Sequence, residues 1–159
     1  MPNLQEGDQA PEISLETDSG EHFDLSSLRG KNVVLYFYPK ADTPGCTKES
    51  CEFRDTSPRL TLANTVIVGV SPDTTKAQAK FKQKFDLPFT LLADTEHAAA
   101  ETYGVWKEKS MYGKKYMGIE RTTFVIDAAG KIKKIFPKVK VEGHAEEVLA
   151  ALGQPVSSI

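Results

Sequence analysis

The pattern of apolar and polar residues along the chain predicts strands and helices in regular succession. Two continuous apolar runs, residues 33–38 and 65–70, have the length and β-rich composition of strands that are buried on both faces. Between residues 74 and 85, Ala77, Phe81 and Phe85 recur at every fourth position. This spacing predicts a helix with one apolar face.

The remaining segments extend the succession to a complete α/β domain. We predict a hairpin (residues 13–17 and 22–25), a helix (44–60), a strand (89–93), a helix capped by Asp94 or Thr95 (to residue 103), a loop (107–120), a second hairpin (122–126 and 131–136) and a last helix (145–152, ended by Gly153). Alternation of strands and helices indicates a central sheet covered by helices, and the second hairpin makes that sheet mixed. A thioredoxin-like α/β fold with an N-terminal β-hairpin fits this order best.

Composition and charge exclude several classes of protein. The chain has 159 residues, 40% of them hydrophobic, which fits one domain spanning residues 1–159. Its net charge of -2 gives no indication of a nucleic acid or membrane partner. Residues 131–140 alternate lysine with apolar residues, which is typical of a strand with one solvated face rather than of a binding patch.

The chain begins without a secretory signal and has no apolar run of the roughly 18 residues that a membrane span needs. We therefore expect a cytoplasmic protein, in which thiols stay reduced. In that compartment a closely spaced cysteine pair is more often catalytic or metal-binding than structural.

The segment between the first buried strand and the following helix carries the candidate chemistry. Thr43 and Pro44 favour a helix start, with threonine as the N-cap and proline at the first helical position. Cys46 then lies in the first turn, where unpaired N–H groups and the helix dipole favour a thiolate. The Thr43 hydroxyl is able to cap a backbone N–H and to donate toward sulfur or peroxide.

Cys51 follows Cys46 by five residues. Within one intact helix this spacing means about 140° of rotation and about 7.5 Å of rise, so the two sulfurs point apart. A disulfide between two such positions requires the helix to unwind. We therefore predict that oxidation of Cys46 is followed by local melting around Cys51.

Several motifs resemble those of the peroxiredoxin family. The run from Pro39 through Thr43 to Cys46 resembles the peroxiredoxin active-site signature, and Cys51 resembles the resolving cysteine of the bacterioferritin-comigratory, or Q-type, subfamily. Further similarities to the family lie in residues 7–11, Glu49, residues 53–55, residues 103–106 and residues 121–127. Together they cover nearly the whole chain.

The resemblance implies a role for each matching residue. Cys46 is expected to be the peroxidatic thiolate, and Thr43 to hydrogen-bond the peroxide. Arg121 is expected to stabilise the thiolate and position the peroxide, and Pro39 to shield the site from water. Backbone N–H groups near Gly45 and Cys46 are expected to complete the pocket. From residue chemistry alone, an arginine at position 121 is more often an ordinary surface or strand-edge residue than a functional one.

The resemblance also implies a catalytic cycle. Cys51 is expected to form a disulfide with oxidised Cys46, which thioredoxin or a related dithiol then reduces. Glu49 is either a supporting residue of the site or a solvated helix residue. The substrates are expected to be hydrogen peroxide and organic hydroperoxides. We expect a monomer, in a subfamily that also includes dimers.

Two other functions are compatible with a cysteine pair. Thiol–disulfide oxidoreductases usually have two residues between their cysteines, whereas this chain has four. A redox-sensing or chaperone-like module that switches without turnover is the second alternative. His22, His97 and His144 are scattered and match neither a zinc site nor a base for Cys46, so we expect no metal and no cofactor.

Overall fold

The computed structural model describes residues 4–152, which form nine strands, four α-helices and a short 3-10 helix. The strands are β1 (Ser14–Thr17), β2 (His22–Asp24), β3 (Asn32–Phe37), β4 (Thr65–Ser71), β5 (Thr90–Ala93), β6 (Trp106–Met111), β7 (Lys114–Ile119), β8 (Thr122–Ile126) and β9 (Ile132–Phe136). The helices are α1 (Pro44–Leu62), α2 (Thr75–Phe85), α3 (Ala98–Thr102) and α4 (His144–Ala151), and the 3-10 helix spans Leu25–Leu28.

Seven strands form one mixed sheet in the order β2-β1-β5-β4-β3-β8-β9. Strands β3, β4 and β5 are parallel neighbours, because α1 and α2 provide the crossovers between them. Strands β8 and β1 pair antiparallel with β3 and β5, and each continues into a hairpin at an edge of the sheet. This arrangement confirms the predicted α/β thioredoxin-like fold with its N-terminal hairpin.

Strand β3 divides the interior into two apolar clusters. Its side chains alternate, so that Val33, Leu35 and Phe37 enter one cluster while Val34 and Tyr36 enter the other. Helices α1, α2 and α4 cover the second cluster, and α3 covers the first. The second cluster also contains Cys46, which places the candidate nucleophile at the border of a packed core.

The prediction of a loop at residues 107–120 is wrong. Strands β6 and β7 form a separate antiparallel hairpin in this segment. Its turn residues Tyr112 and Gly113 have φ values of 53° and 77°, which two-residue hairpin turns require. Residues 111–117 are exposed on both faces, so the hairpin lacks the apolar alternation by which a half-buried strand is recognised.

Helix α3 is shorter than predicted, although Asp94 caps it. The helix spans five residues, and His97 at its N-cap has a φ of 61°. The Asp94 carboxylate accepts hydrogen bonds from the backbone N–H groups of Ala99 and Ala100 at 3.1 and 2.9 Å. Asp94 thus caps α3 although it lies before the turn that separates β5 from the helix. The predicted end of α4 at Gly153 lies outside the described residues.

Gly69 in β4 provides the space that Tyr36 occupies on the neighbouring strand. A Cβ atom at residue 69 would lie 2.9 Å from the Cζ and Oη atoms of Tyr36 and from Cδ2 of Leu91. The Tyr36 hydroxyl in turn lies 2.8 Å from the hydroxyl of Ser50 in α1. The glycine therefore lets α1 pack closely against the sheet.

We predict that Gly69→Ala lowers the free energy of unfolding by about 1–3 kcal/mol, because the new methyl group overpacks the core. Gly118→Ala is the matched control, since a Cβ atom there would lie no closer than 3.4 Å to its neighbours. Urea unfolding of both variants measures the difference. Equal losses of stability would contradict the packing argument.

Candidate active site

The loop after β3 ends in the N-terminus of α1, as the sequence predicts. Asp42 has a φ of 60°, which turns the chain back toward the sheet. Thr43 then occupies the N-cap with an extended backbone, and Pro44 is the first helical residue. Cys46 is consequently the third residue of α1, within its first turn.

The Thr43 side chain makes a different hydrogen bond from the predicted one. Its hydroxyl donates to the carbonyl oxygen of Lys40 at 2.8 Å and makes no capping bond to the helix. The bond closes the loop between the two residues. The hydroxyl oxygen keeps its capacity to accept a hydrogen bond.

Asp73 holds the same loop from the side of β4, and the sequence analysis did not identify it. Its Oδ2 atom accepts hydrogen bonds from the backbone N–H of Ala41 at 2.7 Å and from the hydroxyl of Ser71 at 2.5 Å. The sequence does place this carboxylate just after a buried parallel strand, at the end of the sheet where the active sites of α/β proteins usually lie.

Arg121 reaches Cys46 because β8 lies beside β3. Thr122, the first residue of β8, pairs with Phe37, the last residue of β3. The residue before Thr122 is therefore brought to the end of the sheet at which α1 begins. The Nη2 atom of Arg121 donates a hydrogen bond to the Cys46 Sγ atom at 3.3 Å.

Gly45 makes room for this guanidinium group. A Cβ atom at residue 45 would lie 3.1 Å from Nη2 of Arg121, which is closer than ordinary van der Waals contact. The backbone at this position does not have a positive φ. The glycine is therefore needed for space beside Arg121 rather than for its conformational freedom.

Glu49 is a buried partner of Arg121 rather than a solvated helix residue. Its side chain is 1% exposed, and its Oε1 atom accepts a hydrogen bond from Nη1 of Arg121 at 2.6 Å. Oε2 has no hydrogen-bond partner among the described residues. Burial raises the pKa of Glu49 to about 7, against the opposing attraction of Arg121. Burial opposes the charge of Arg121 as well, but Glu49 and Cys46 raise the pKa of its guanidinium above the usual value.

The two cysteines are free thiols within one continuous helix, as the spacing predicts. Cys46 is 1% exposed, whereas Cys51 is half-buried. Pro39 is also half-buried and follows β3 after one intervening residue, Tyr38. The structure therefore brings Cys46, Arg121, Glu49 and Gly45 together, and it leaves Cys51 further along the helix.

Two further features are absent from residues 4–152. No group of three or more histidine, cysteine, aspartate or glutamate side chains in this range is placed to hold a metal ion. None of the helices in the same range is both long and apolar enough to cross a membrane.

Sequence comparison places the chain among known thiol peroxidases. Residues 6–135 match the AhpC/TSA family. The chain is 53% identical over 150 residues to a putative peroxiredoxin bcp from Coxiella burnetii, with 94% of this chain and 99% of that protein covered. It is 50% identical over 149 residues to peroxiredoxin Bcp of Bacillus subtilis, with 94% and 95% covered.

Structural comparison gives the same relatives. A mutant of PrxQ from Xylella fastidiosa superposes with a TM-score of 0.91 at 35% identity, covering 96% of this chain and 98% of the other. The bacterioferritin comigratory protein of Xanthomonas campestris, described for its alkyl peroxide reduction activity, superposes with a TM-score of 0.85 at 40% identity and covers 89% and 90%. The chain therefore belongs to the AhpC/TSA family and, within it, to the Bcp and Q-type peroxiredoxins.

Proposed function

We propose that this chain, acting as a single domain, reduces hydroperoxides with Cys46 as the attacking thiolate. The observation that carries the proposal is the hydrogen bond from the Arg121 guanidinium to the Cys46 sulfur in the first turn of α1. A fixed cation and the helix N-terminus both favour the ionised sulfur. Family membership supports peroxide as the electrophile, since the relatives are peroxiredoxins.

In the first step the Cys46 thiolate attacks the terminal oxygen of the peroxide. A sulfur–oxygen bond forms and the oxygen–oxygen bond breaks, so the sulfur is oxidised to a sulfenic acid while an alkoxide or hydroxide departs. Negative charge moves from sulfur onto the departing oxygen. A donor that is already fixed in place stabilises this transition state more than it stabilises the reactants.

Several residues around Cys46 each contribute to binding of the peroxide. Arg121 positions the peroxide oxygens, and the Thr43 hydroxyl, whose hydrogen is donated to Lys40, accepts a hydrogen bond from the peroxide. Backbone N–H groups at Gly45 and Cys46 are available to bind the peroxide, because the first turn of a helix leaves them without intrahelical partners. Pro39 limits the access of water at the end of β3. Glu49 holds the guanidinium in place through its bond to Nη1.

The substrates of this proposal are hydrogen peroxide and small organic hydroperoxides. The 1% exposure of Cys46 favours a reacting group as narrow as the terminal O–OH. The alkyl peroxide reduction described for the Xanthomonas campestris relative supports the inclusion of organic hydroperoxides.

In the second step the Cys51 thiol condenses with the sulfenic acid, forming a disulfide and releasing water. The first turns of α1 must unwind for this, because the two positions of an intact helix point apart. Unwinding breaks the Lys48–Glu142 ion pair and the hydrogen bond from the Gly143 N–H to Glu52. Thioredoxin or a related dithiol then reduces the disulfide, in the cytoplasm and with the protein as a monomer.

We predict that Cys46→Ser abolishes peroxide reduction, while Cys51→Ser leaves the first oxidation intact and blocks disulfide formation. The reason is that, of the two cysteines, Cys46 is the one whose sulfur accepts a hydrogen bond from the Arg121 guanidinium. Mass spectrometry after one equivalent of peroxide distinguishes the sulfenic acid from the disulfide. Loss of the first step in Cys51→Ser would reverse the assigned roles.

We predict that Gly45→Ala slows the oxidation of Cys46 about tenfold, a part of the roughly 10²–10³ that removal of a whole oxyanion donor costs. The new Cβ would meet Nη2 of Arg121 at 3.1 Å, so the guanidinium must move away from the sulfur. Stopped-flow oxidation measures the rate. Unfolding by urea is the control, since alanine in a helix does not lower stability relative to glycine. An unchanged rate would refute the spatial role of Gly45.

The titration of Glu49 predicts a pH dependence of stability. The pKa of this carboxyl is raised from 4.5 to about 7 in the folded protein. Its contribution to stability is therefore fully present below the unfolded pKa and is lost as the pH rises through about 7. Glu49→Gln keeps an acceptor for Arg121 but does not titrate.

We expect the free energy of unfolding to fall between about pH 5 and about pH 8 more steeply in the wild-type protein than in Glu49→Gln, by up to about 3 kcal/mol. Urea unfolding at the two pH values measures this. Glu108→Gln, in the exposed hairpin, is the control and should keep the wild-type slope. The same slope in Glu49→Gln would show that Glu49 ionises without cost.

A further inference from the structure

Two acidic groups share one guanidinium in the active site. Nη1 of Arg121 donates a hydrogen bond to Oε1 of Glu49 at 2.6 Å, and Nη2 of the same group donates to Sγ of Cys46 at 3.3 Å. Glu49 follows Cys46 by three residues in α1, so the two side chains project from the same face of that helix. The ionisation of either group therefore changes the charge that the other one meets.

The burial of this cluster limits the charge that it can hold. Glu49 and Cys46 are each 1% exposed, and the Arg121 side chain is 18% exposed. A carboxylate and a thiolate beside one guanidinium would leave a net negative charge in a region that is nearly closed to solvent, which is costly. Two like charges that share a buried site resist simultaneous ionisation. The guanidinium therefore compensates one anion, and the other group retains its proton.

Glu49 is the group that is suited to retain the proton. Its Oε2 atom is buried without a hydrogen-bond partner in the described part of the chain, so a charge on this carboxyl meets a donor at one oxygen only. Cys46, in contrast, lies at the positive end of α1 as well as beside Arg121. Burial also raises the pKa of Glu49. The reactive site thus consists of a thiolate, a guanidinium and a neutral carboxyl.

The other ionisable groups near Glu49 do not take over this role. Glu52, three residues further along α1, raises the pKa of Glu49 by its like charge. Burial raises the pKa of Tyr36 in β3 well above its ordinary value. Burial lowers the pKa of His144 in α4, whose ring packs edge-on against Phe53 of α1. Tyr36 and His144 are therefore neutral near pH 8 and exchange no proton during the reaction.

We infer that Glu49 stores a proton for the reaction, holding it while Cys46 is a thiolate and giving it up when Cys46 is oxidised. The inference rests on the proposed function and deepens it. The sulfur forms a bond to the terminal oxygen of the peroxide, which keeps its hydrogen, and the resulting sulfenic acid is neutral. The departing oxygen takes the electron pair of the broken oxygen–oxygen bond and the proton of Glu49, and leaves as water or an alcohol. The carboxylate then compensates Arg121 in place of the thiolate.

This exchange distinguishes a proton store from a residue that only holds Arg121 in place. A store keeps the net charge of the site constant, so the departing oxygen takes no proton from the solution. A glutamate that is ionised throughout the reaction, or protonated throughout, leaves that oxygen to be protonated from the solution. The number of protons taken up per oxidised Cys46 therefore reports the role of Glu49, and this number does not depend on the rate of oxidation.

The test counts these protons in the Cys51→Ser protein, with a pH-indicator dye in weak buffer, after one equivalent of hydrogen peroxide. Mass spectrometry counts the Cys46 sulfenic acid that has formed. The measurement is made at about pH 8, above the pKa of about 7, so that the carboxyl stays ionised once the sulfur is neutral.

Glu49→Gln removes the stored proton and keeps an acceptor for Arg121. In the Cys51→Ser background it is expected to take up about one proton more per oxidised Cys46 than the protein that keeps Glu49. Glu108→Gln, which removes a carboxyl from the exposed hairpin, is the matched control and should take up the same number of protons as the parent protein.

Equal proton uptake with glutamate and glutamine at residue 49 would overturn the inference, and so would a smaller uptake with glutamine. A slower oxidation of Glu49→Gln would not change the count, because the protons are counted per sulfenic acid formed. Failure of the proposed function gives a different result, since Cys46 of the parent protein would then form no sulfenic acid with hydrogen peroxide.

Discussion

The hydrogen bond between the Arg121 guanidinium and the Cys46 sulfur is the interaction on which the rest of the site depends. The sulfur belongs to an apolar cluster between α1 and the sheet, and a thiolate at such a position requires a compensating charge. Arg121 provides that charge and is itself held by Glu49. The Arg121 guanidinium therefore orients both the Cys46 thiol and the Glu49 carboxyl. A change in either of these groups alters the position of the guanidinium.

The fold brings these groups together by the order of its strands. Strand β3 lies between β4 and β8, and the start of β8 is at the same edge of the sheet as the ends of β3 and β4 because β8 runs antiparallel to β3. Arg121 precedes β8, the Cys46 loop follows β3 and Asp73 follows β4. Three segments that are distant in sequence thus meet at one edge of the sheet. The terminal hairpin of β8 and β9 thus contributes Arg121 to this edge of the sheet.

The active-site helix combines tight packing with a requirement to open. Its buried face includes Cys46, Glu49, Ser50 and Phe53, and Ser50 contacts Tyr36 of β3. Its exposed side is joined to the start of α4 by the Lys48–Glu142 ion pair and by Glu52. These exposed contacts are weak individually, since surface ion pairs contribute roughly 0–1 kcal/mol. These exposed contacts therefore oppose the proposed unwinding of the first turns only weakly.

Sequence by itself determined the local structure around Cys46 and most of the fold. The continuous apolar runs specify buried strands, Thr43 and Pro44 specify the start of α1, and a spacing of five puts both cysteines in one helix. These are local properties, because propensity, capping and periodicity act over a few residues. The hairpin of β6 and β7 was missed for the same reason, since its exposed residues lack the alternation that burial imposes.

Only the tertiary structure decided which distant groups face the sulfur. Arg121 lies 75 residues from Cys46 in sequence, and its contact depends on the pairing of β8 with β3. The resemblance to peroxiredoxins indicated Arg121, but its residue type did not. The burial of Glu49 and the hydrogen bonds of Asp73 and Thr43 were likewise not predictable. Each follows from packing between elements, which the residues next to it in the chain do not encode.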